Sequence, residues 1–326
     1  MNALSSKSTS IYWGYSCHCH RKNTFIKHTV IAKIAFIHKG GAYLPELIAY
    51  QAFFEARGHR CMLLKHPDEE ALLGVDIEWH FLGFDFAPKR SDRLKVHEYA
   101  SLSVPPFAKI KDTAKSVLNT KPHVRVLQAS TAARFAKDDV PAFVKRYGIS
   151  SDFFHLPSRP ADFDFVYVGA MDATRQLQGY LSHWVQHFPD YTLLMIGEPP
   201  AHLFKRFKKH SNIQFTGRIA YAEVPHFLSG ARYGLNLIPD RSPYNIQDSL
   251  KLMEYCAAGL KVITTDYAWA KAFEERRQAR FLKLSPDLSN FNPASVENYD
   301  FSTPDVSDLL WEKVLLDAKL HLIPNI

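Results

Sequence analysis

The segment Tyr244–Tyr267, YNIQDSLKLMEYCAAGLKVITTDY, reads as a helix that stops at a glycine and passes directly into a β-strand. Leu250, Met253 and Ala257 repeat at helical spacing, and Gly259 is suited to the left-handed conformation that closes a helix. The β-branched run KVITT then has the continuous apolar character of a strand covered on both faces, as parallel sheets require. Lys251 and Glu254 lie three residues apart and project from one side of that helix. On a solvated surface such a pair contributes little, so its meaning depends on what the helix faces.

The same alternation continues on both sides of this stretch. From Phe163 onward the chain reads as strand and turn (FVYVGAM), helix (QLQGYLSHWVQHF), strand and turn (YTLLMIGE), basic helix (HLFKRFKKH), strand and turn (IQFTGRI), helix (YAEVPHFLSGA) and strand (YGLNLIP). In the first half, strand Lys33–His38 precedes a turn at Gly40 and Gly41 and a helix that runs to Arg57. CMLL, VDIEWHFLGF and VRVLQA follow as further strands. Strands alternating with helices imply parallel sheets with right-handed crossovers. The expected fold class is therefore α/β, with two Rossmann-like, doubly wound parallel-sheet domains. Residues 31–155 and 156–300 form the two, joined through the proline-containing segment His155–Asp164. Residues 1–30 form a basic tail, and residues 301–326 a helix that crosses back towards the first domain.

Composition bounds the function. A chain of 326 residues, 46% hydrophobic, can bury two ordinary cores. No apolar run reaches membrane-spanning length. The formal charge of +7 favours anionic partners without choosing among nucleotides, acidic lipids and acidic glycans. Four cysteines spread over the chain make no disulfide framework, which fits a reducing, cytoplasmic setting. Cys17, His18, Cys19 and His20 are packed into one run with no second ligand pair downstream, so no metal is expected there. Aromatics are plentiful at 13%, but they do not interleave with basic residues as a stacking platform would, and nucleic acid is not an expected partner.

In open parallel sheets, ligands bind beyond the carboxyl ends of the strands. Gly169, Gly197 and Gly217 each close a strand there, ahead of the helix that carries Lys251 and Glu254. The ordered pieces YVGAMD, LLMIGEPP, NIQFTGRIAYAEVPHFLSGARYGLNLIP and SLKLMEYCAAGLKVITTD resemble the donor-binding half of GT-B glycosyltransferases, in the large family that includes bacterial polysaccharide and lipopolysaccharide enzymes. The resemblance implies two domains facing a central cleft and a nucleotide-sugar donor, with no cofactor and no metal. It implies that Glu254 binds the ribose hydroxyls and that Lys251 contacts the diphosphate, with Gly169, Arg175, Gly197, Gly217, Arg218 and Asp248 around them. The chain departs from the commonest pattern at Ile246, which stands where that pattern has a second glutamate; Asp248 is the nearest acid. Arg175 stands in for the basic residues usual after the first glycine turn.

On the acceptor side, HEYASLSVPPFAKIKDTAK, His97–Lys115, is similar to a segment of the same enzymes. Glu98 and His97 are the candidates for a base at the acceptor hydroxyl, and adjacent residues on a strand face opposite ways, so at most one of them serves. Gly40 and Gly41 would face the cleft from the acceptor side. The implied acceptor is a hydroxyl of a glycan or glycolipid in cell-surface polysaccharide synthesis. Lys205, Arg206, Lys208 and Lys209 offer a peripheral contact with anionic lipid at the inner face of the cell membrane. A nucleotide-sugar binding module and an epimerase of the same fold are the alternatives. A nicotinamide dehydrogenase is disfavoured because HKGGAYLPE lacks the G-x-G-x-x-G spacing.

Overall fold

A computed structural model describes residues 31–40, 44–81, 83–157 and 159–326; the Cys17–His20 run and Gly41 lie outside the described residues. The chain builds two six-stranded sheets in which every pairing is parallel. The first contains β1 (Lys33–His38), α1 (Pro45–Glu55), β2 (Arg60–Leu64), β3 (Ile77–Phe81), β4 (Leu94–Tyr99), α2 (Ala108–Leu118), β5 (Val124–Gln128), α3 (Ala129–Phe135) and β6 (Ala142–Lys145). The second contains β7 (Phe163–Val168), α4 (Leu177–His187), β8 (Leu193–Ile196), α5 (Ala201–Phe207), β9 (Ile213–Gly217), α6 (Val224–Leu228), β10 (Ala231–Asn236), α7 (Leu250–Ala257), β11 (Lys261–Thr265), α8 (Ala268–Arg277) and β12 (Leu282–Leu284). Helices α9 (Pro293–Glu297) and α10 (Trp311–Asp317) complete the chain. The fold is the expected pair of Rossmann-like α/β units.

The strand orders, 2-1-3-4-5-6 and 12-11-10-7-8-9, each reverse direction once. In the second sheet the reversal falls between β7 and β10, which opens a crevice at their carboxyl ends. Gly169 follows β7, and the connection from β10 leads into α7, so the stretch that signals the fold also stands at the crevice. Strands β6 and β12 carry little of the apolar run by which strands are recognised, because both are sheet edges of four and three residues.

Strand β4 shows the opposite discrepancy. It lies inside the first sheet, yet its sequence, LKVHEY, is half polar, and Lys95, His97 and Glu98 are all fully buried. Their partners across the sheet make this tolerable, since buried charge is stable only when paired and hydrogen-bonded.

After the second sheet the chain returns to the first. Trp311, Leu315, Leu320 and Ile323 share one core with Ile34, Phe36, Tyr50, Phe54 and Trp79. Ile149 seats this return: its N–H donates to the Leu309 carbonyl at 2.7 Å, and its own carbonyl accepts from Trp311 N–H at 3.2 Å. Among the described residues, no helix is long and apolar enough to cross a membrane.

A Cβ at Gly148 would stand 2.2 Å from the Trp311 ring. Gly148→Ala is therefore expected to lower stability by about 1–3 kcal/mol, the usual cost of overpacking a filled core. Denaturant unfolding measures it; a midpoint equal to wild type would show that the return helix yields without cost.

Candidate functional site

Three glycines build the carboxyl edge of the second sheet. Gly169, Gly197 and Gly217 have φ of 128°, 136° and 70°, a region closed to most side chains. Their amides are not all free for a ligand: Gly169 N–H donates to the Ile196 carbonyl at 2.9 Å and Gly197 N–H to the Gly217 carbonyl at 3.0 Å. What the glycines supply is room. A Cβ at Gly197 would meet the Gly169 carbonyl oxygen at 2.3 Å, and one at Gly169 would stand 3.1 Å from Lys251 Nζ.

Lys251 occupies that room without an ion-pair partner among the described residues. Its Nζ lies 4.1 Å from the centre of the Tyr167 ring and has no hydrogen-bond partner among the described residues. Burial holds its pKa well below the ordinary lysine range, and the nearby Arg175 pushes in the same direction while Glu254 opposes it. Arg175 is in a similar position. Its guanidinium lies 4.9 Å from the Tyr244 ring, and its Nε and Nη1 find no hydrogen-bond partner. Two cations thus converge on the Gly169 turn with their donors unsatisfied.

Glu254 sits one turn further along α7, also buried, and accepts a hydrogen bond from the Tyr221 hydroxyl at 2.5 Å. Burial raises its pKa to about 7 against the opposing effects of Tyr221 and Lys251. Lys251 and Glu254 share a helix face but do not bond to each other. The pair is two separate groups, an amine and a carboxyl that share a helix side.

The other expected residues are placed differently. Arg218 is exposed on the rim after Gly217. Asp248 is committed elsewhere: Trp269 Nε1–H donates to it at 2.7 Å, and Gln128 Nε2–H, from the end of β5, reaches it from the first domain. It links the domains rather than replacing the missing second acid of the family pattern. Ile246 is half exposed in that acid's place. Gly40 follows β1 as expected, packed against the His38 ring.

His97 and Glu98 do point to opposite faces of β4, yet neither exposes an atom. Glu98 accepts from Tyr50 Oη–H at 3.1 Å and Trp79 Nε1–H at 2.9 Å, and pairs with Lys145 Nζ at 3.2 Å; burial raises its pKa. His97 Nε2 lies 2.9 Å from Asp85, which also accepts from Lys95 Nζ at 2.8 Å. Burial alone would raise the Asp85 pKa, but these two partners outweigh it and hold the carboxyl well below its usual range. Groups so enclosed brace the sheet and do not reach an acceptor hydroxyl.

Of two residues that the sequence did not single out, Tyr147 lines a cavity between the domains and Glu46 is bonded to it. Glu46, buried in the first turn of α1, accepts from the Tyr147 hydroxyl at 3.2 and 3.1 Å. Tyr147 is pushed far above its ordinary pKa by burial and by the Glu46, Glu98 and Glu254 carboxylates, so it stands within the field of both domains. The available signal was an acid directly after Pro45, at the helix start following β1. A cavity of about 350 Å³ between the domains is lined by Ser130, Tyr147, Asp248, Met253, Trp269 and Arg277. Among the described residues, no group of three or more His, Cys, Asp or Glu side chains is placed to hold a metal ion.

No protein-family model matches this sequence, and no curated protein matches it significantly. Solved structures do match in three dimensions. The glycosyltransferase AviGT4 of avilamycin A biosynthesis is similar over 90% of this chain and 96% of its own, with a TM-score of 0.55 at 11% identity. HepE of Anabaena, solved in complex with UDP and glucose, is similar over 90% and 97% with a TM-score of 0.58 at 10% identity. A sucrose-phosphate synthase from Thermosynechococcus elongatus is similar over 90% and 94% with a TM-score of 0.57 at 14% identity. At these identities the likeness establishes the fold, which is the GT-B architecture of glycosyltransferases.

The Glu254 carboxyl binds its proton more tightly when folded, with a pKa of about 7 against an ordinary 4.5. Its contribution to stability is full below the lower value and is lost as pH rises through the higher one, a change of up to about 3 kcal/mol. Glu254→Gln should remove this component, and chemical denaturation from about pH 4 to about pH 8 would detect a flatter profile. Lys145→Met, which leaves Glu98 buried without its cation, should cost about 3–5 kcal/mol by the same measurement.

Proposed function

We propose that this chain is a hexosyl-type glycosyltransferase that moves a sugar from a nucleotide-sugar to a hydroxyl of a glycan or glycolipid acceptor. The observation that carries the reading is a pair of half-buried basic side chains, Lys251 and Arg175, whose enclosed Nζ, Nε and Nη1 atoms lack hydrogen-bond partners, beside a buried carboxyl on the same helix as Lys251. Unsatisfied charged donors are costly when enclosed, and a diphosphate would satisfy both. The Glu254 carboxylate would accept from two vicinal ribose hydroxyls in place of Tyr221.

In the reaction, the bond between the anomeric carbon and the β-phosphate oxygen breaks as the acceptor oxygen attacks that carbon. Negative charge then builds on the departing diphosphate, and Lys251 and Arg175 are positioned to stabilise it where water is excluded. The acceptor would enter from the Gly40 and Glu46 side. Because His97 and Glu98 are enclosed, no base is assigned to β4, and the proton of the acceptor hydroxyl passes to the departing diphosphate oxygen. HepE has been solved with UDP-glucose, which supports a uridine nucleotide as the first donor to try. Cell-surface polysaccharide synthesis at the cytoplasmic side of the membrane is the setting proposed for the acceptor. If the chain only binds nucleotide-sugar, donor affinity survives without turnover; an epimerase would alter the donor sugar with no acceptor present, which product analysis distinguishes.

Isothermal titration of UDP tests the donor site. Lys251→Ala and Glu254→Ala should each weaken binding by about tenfold to a hundredfold, the worth of a charge-assisted hydrogen bond of about 1.5–3 kcal/mol. Wild-type affinity in both variants would remove α7 from the site and the transferase reading with it.

A further inference from the structure

Helix α2 carries its apolar face outward. Phe107, Ile110, Val117 and Leu118 follow one another at helical spacing and are 71%, 67%, 73% and 58% exposed. The residue turned inward is an acid: Asp112 is 5% exposed and accepts from Ser103 N–H at 3.0 Å. The stripe continues into a neighbouring loop. Thr120 N–H donates to the Asp85 carbonyl at 2.8 Å, and this brings Phe84 and Phe86, two exposed rings stacked at 5.8 Å, to the end of α2. A contiguous apolar surface of this kind marks a contact site.

Charge selects the partner. From Ala100 to Lys137 the only acid in the sequence is the buried Asp112; Lys121 and Arg125 are neutralised by Asp139 and Asp138, which leaves Lys109, Lys111, Arg134 and Lys137 without an ion-pair partner among the described residues. Two copies of this face paired about a two-fold axis would set cations against cations, which disfavours self-association. Apolar side chains framed by lysines instead match the boundary between anionic headgroups and acyl chains. Helix α5, whose basic residues suggested lipid contact from sequence, exposes Lys205, Arg206 and Lys208 but only Phe204 among its large apolar side chains.

We propose that α2, with Phe84 and Phe86, docks the protein on an anionic bilayer. The loop Ala100–Phe107 leaves the carboxyl edge of β4, the same sheet edge from which Gln128 reaches Asp248. The Phe107 end of the docked face therefore stands at the cleft's edge. An amphiphilic acceptor could present its hydroxyl there while its lipid part stays in the bilayer. Docking is independent of the donor site; only the identity of the acceptor rests on the transfer reading.

Co-sedimentation of the full chain with vesicles tests this, comparing phosphatidylcholine alone with phosphatidylcholine containing about 30% phosphatidylglycerol. Wild type should bind the anionic vesicles preferentially. Two double variants, Ile110→Asp with Val117→Asp and Lys109→Glu with Lys111→Glu, should each bind them at least about tenfold more weakly. UDP affinity should stay at the wild-type value in both, which reports an intact fold and separates this test from that of the donor site. Lys205→Glu with Lys208→Glu should leave vesicle binding within about twofold of wild type. The proposal is overturned if wild type ignores anionic vesicles or binds neutral ones equally well. It is also overturned if the α2 variants bind as wild type, if the α5 variant is the one that fails, or if Ile110→Asp abolishes a self-association seen by sedimentation.

Discussion

The second domain's ligand edge depends on one steric constraint. Positions 169 and 197 approach so closely that a single added carbon at Gly197 would collide with the Gly169 carbonyl oxygen. Because both residues also adopt positive φ, the edge can exist only with glycine. The space left over is where the Lys251 ammonium rests against Tyr167. A side chain at Gly169 would crowd the Lys251 Nζ, so the backbone constraint also sets where that amine lies.

The two domains treat buried charge in contrasting ways. In the first, Lys145 and Glu98, and Lys95 with Asp85, are paired inside the sheet with supporting bonds from Tyr50, Trp79 and His97. Such arrangements add little net stability, but removing one partner strands the other, so they resist change. In the second domain Lys251 and Arg175 keep unsatisfied donors. One half thus pairs its buried charges, while the other leaves enclosed basic nitrogens without partners among the described residues.

Several groups link the halves. Gln128 and Asp248 form a direct hydrogen bond, Arg146 and Arg277 share Asp308, and Tyr147, bonded to Glu46, lies within the electrostatic reach of Glu254. The return of α10 onto the first core adds a covalent path from the second sheet to the first. A ligand at Glu254 would therefore alter the field felt at Tyr147, and with it the surroundings of Glu46.

Periodicity alone determined the α/β class, both parallel sheets and the position of α7, because a covered parallel strand must be apolar along its length and a helix on it must carry a stripe. Lys251 and Glu254 were legible for the same reason: helical spacing puts them on one side whatever the rest of the chain does. Only the tertiary structure decided which polar residues are reachable. His97, Glu98 and Asp248 read as site residues because the segments around them resemble motifs of the glycosyltransferases, but their partners come from Asp85, Lys145 and Gln128, up to 120 positions away along the chain. Such partners leave no local pattern. The same holds for α2, whose sequence is amphipathic in the ordinary way; which of its faces meets the core depends on whether the rest of the fold supplies an apolar surface or the Ser103 amide to receive it.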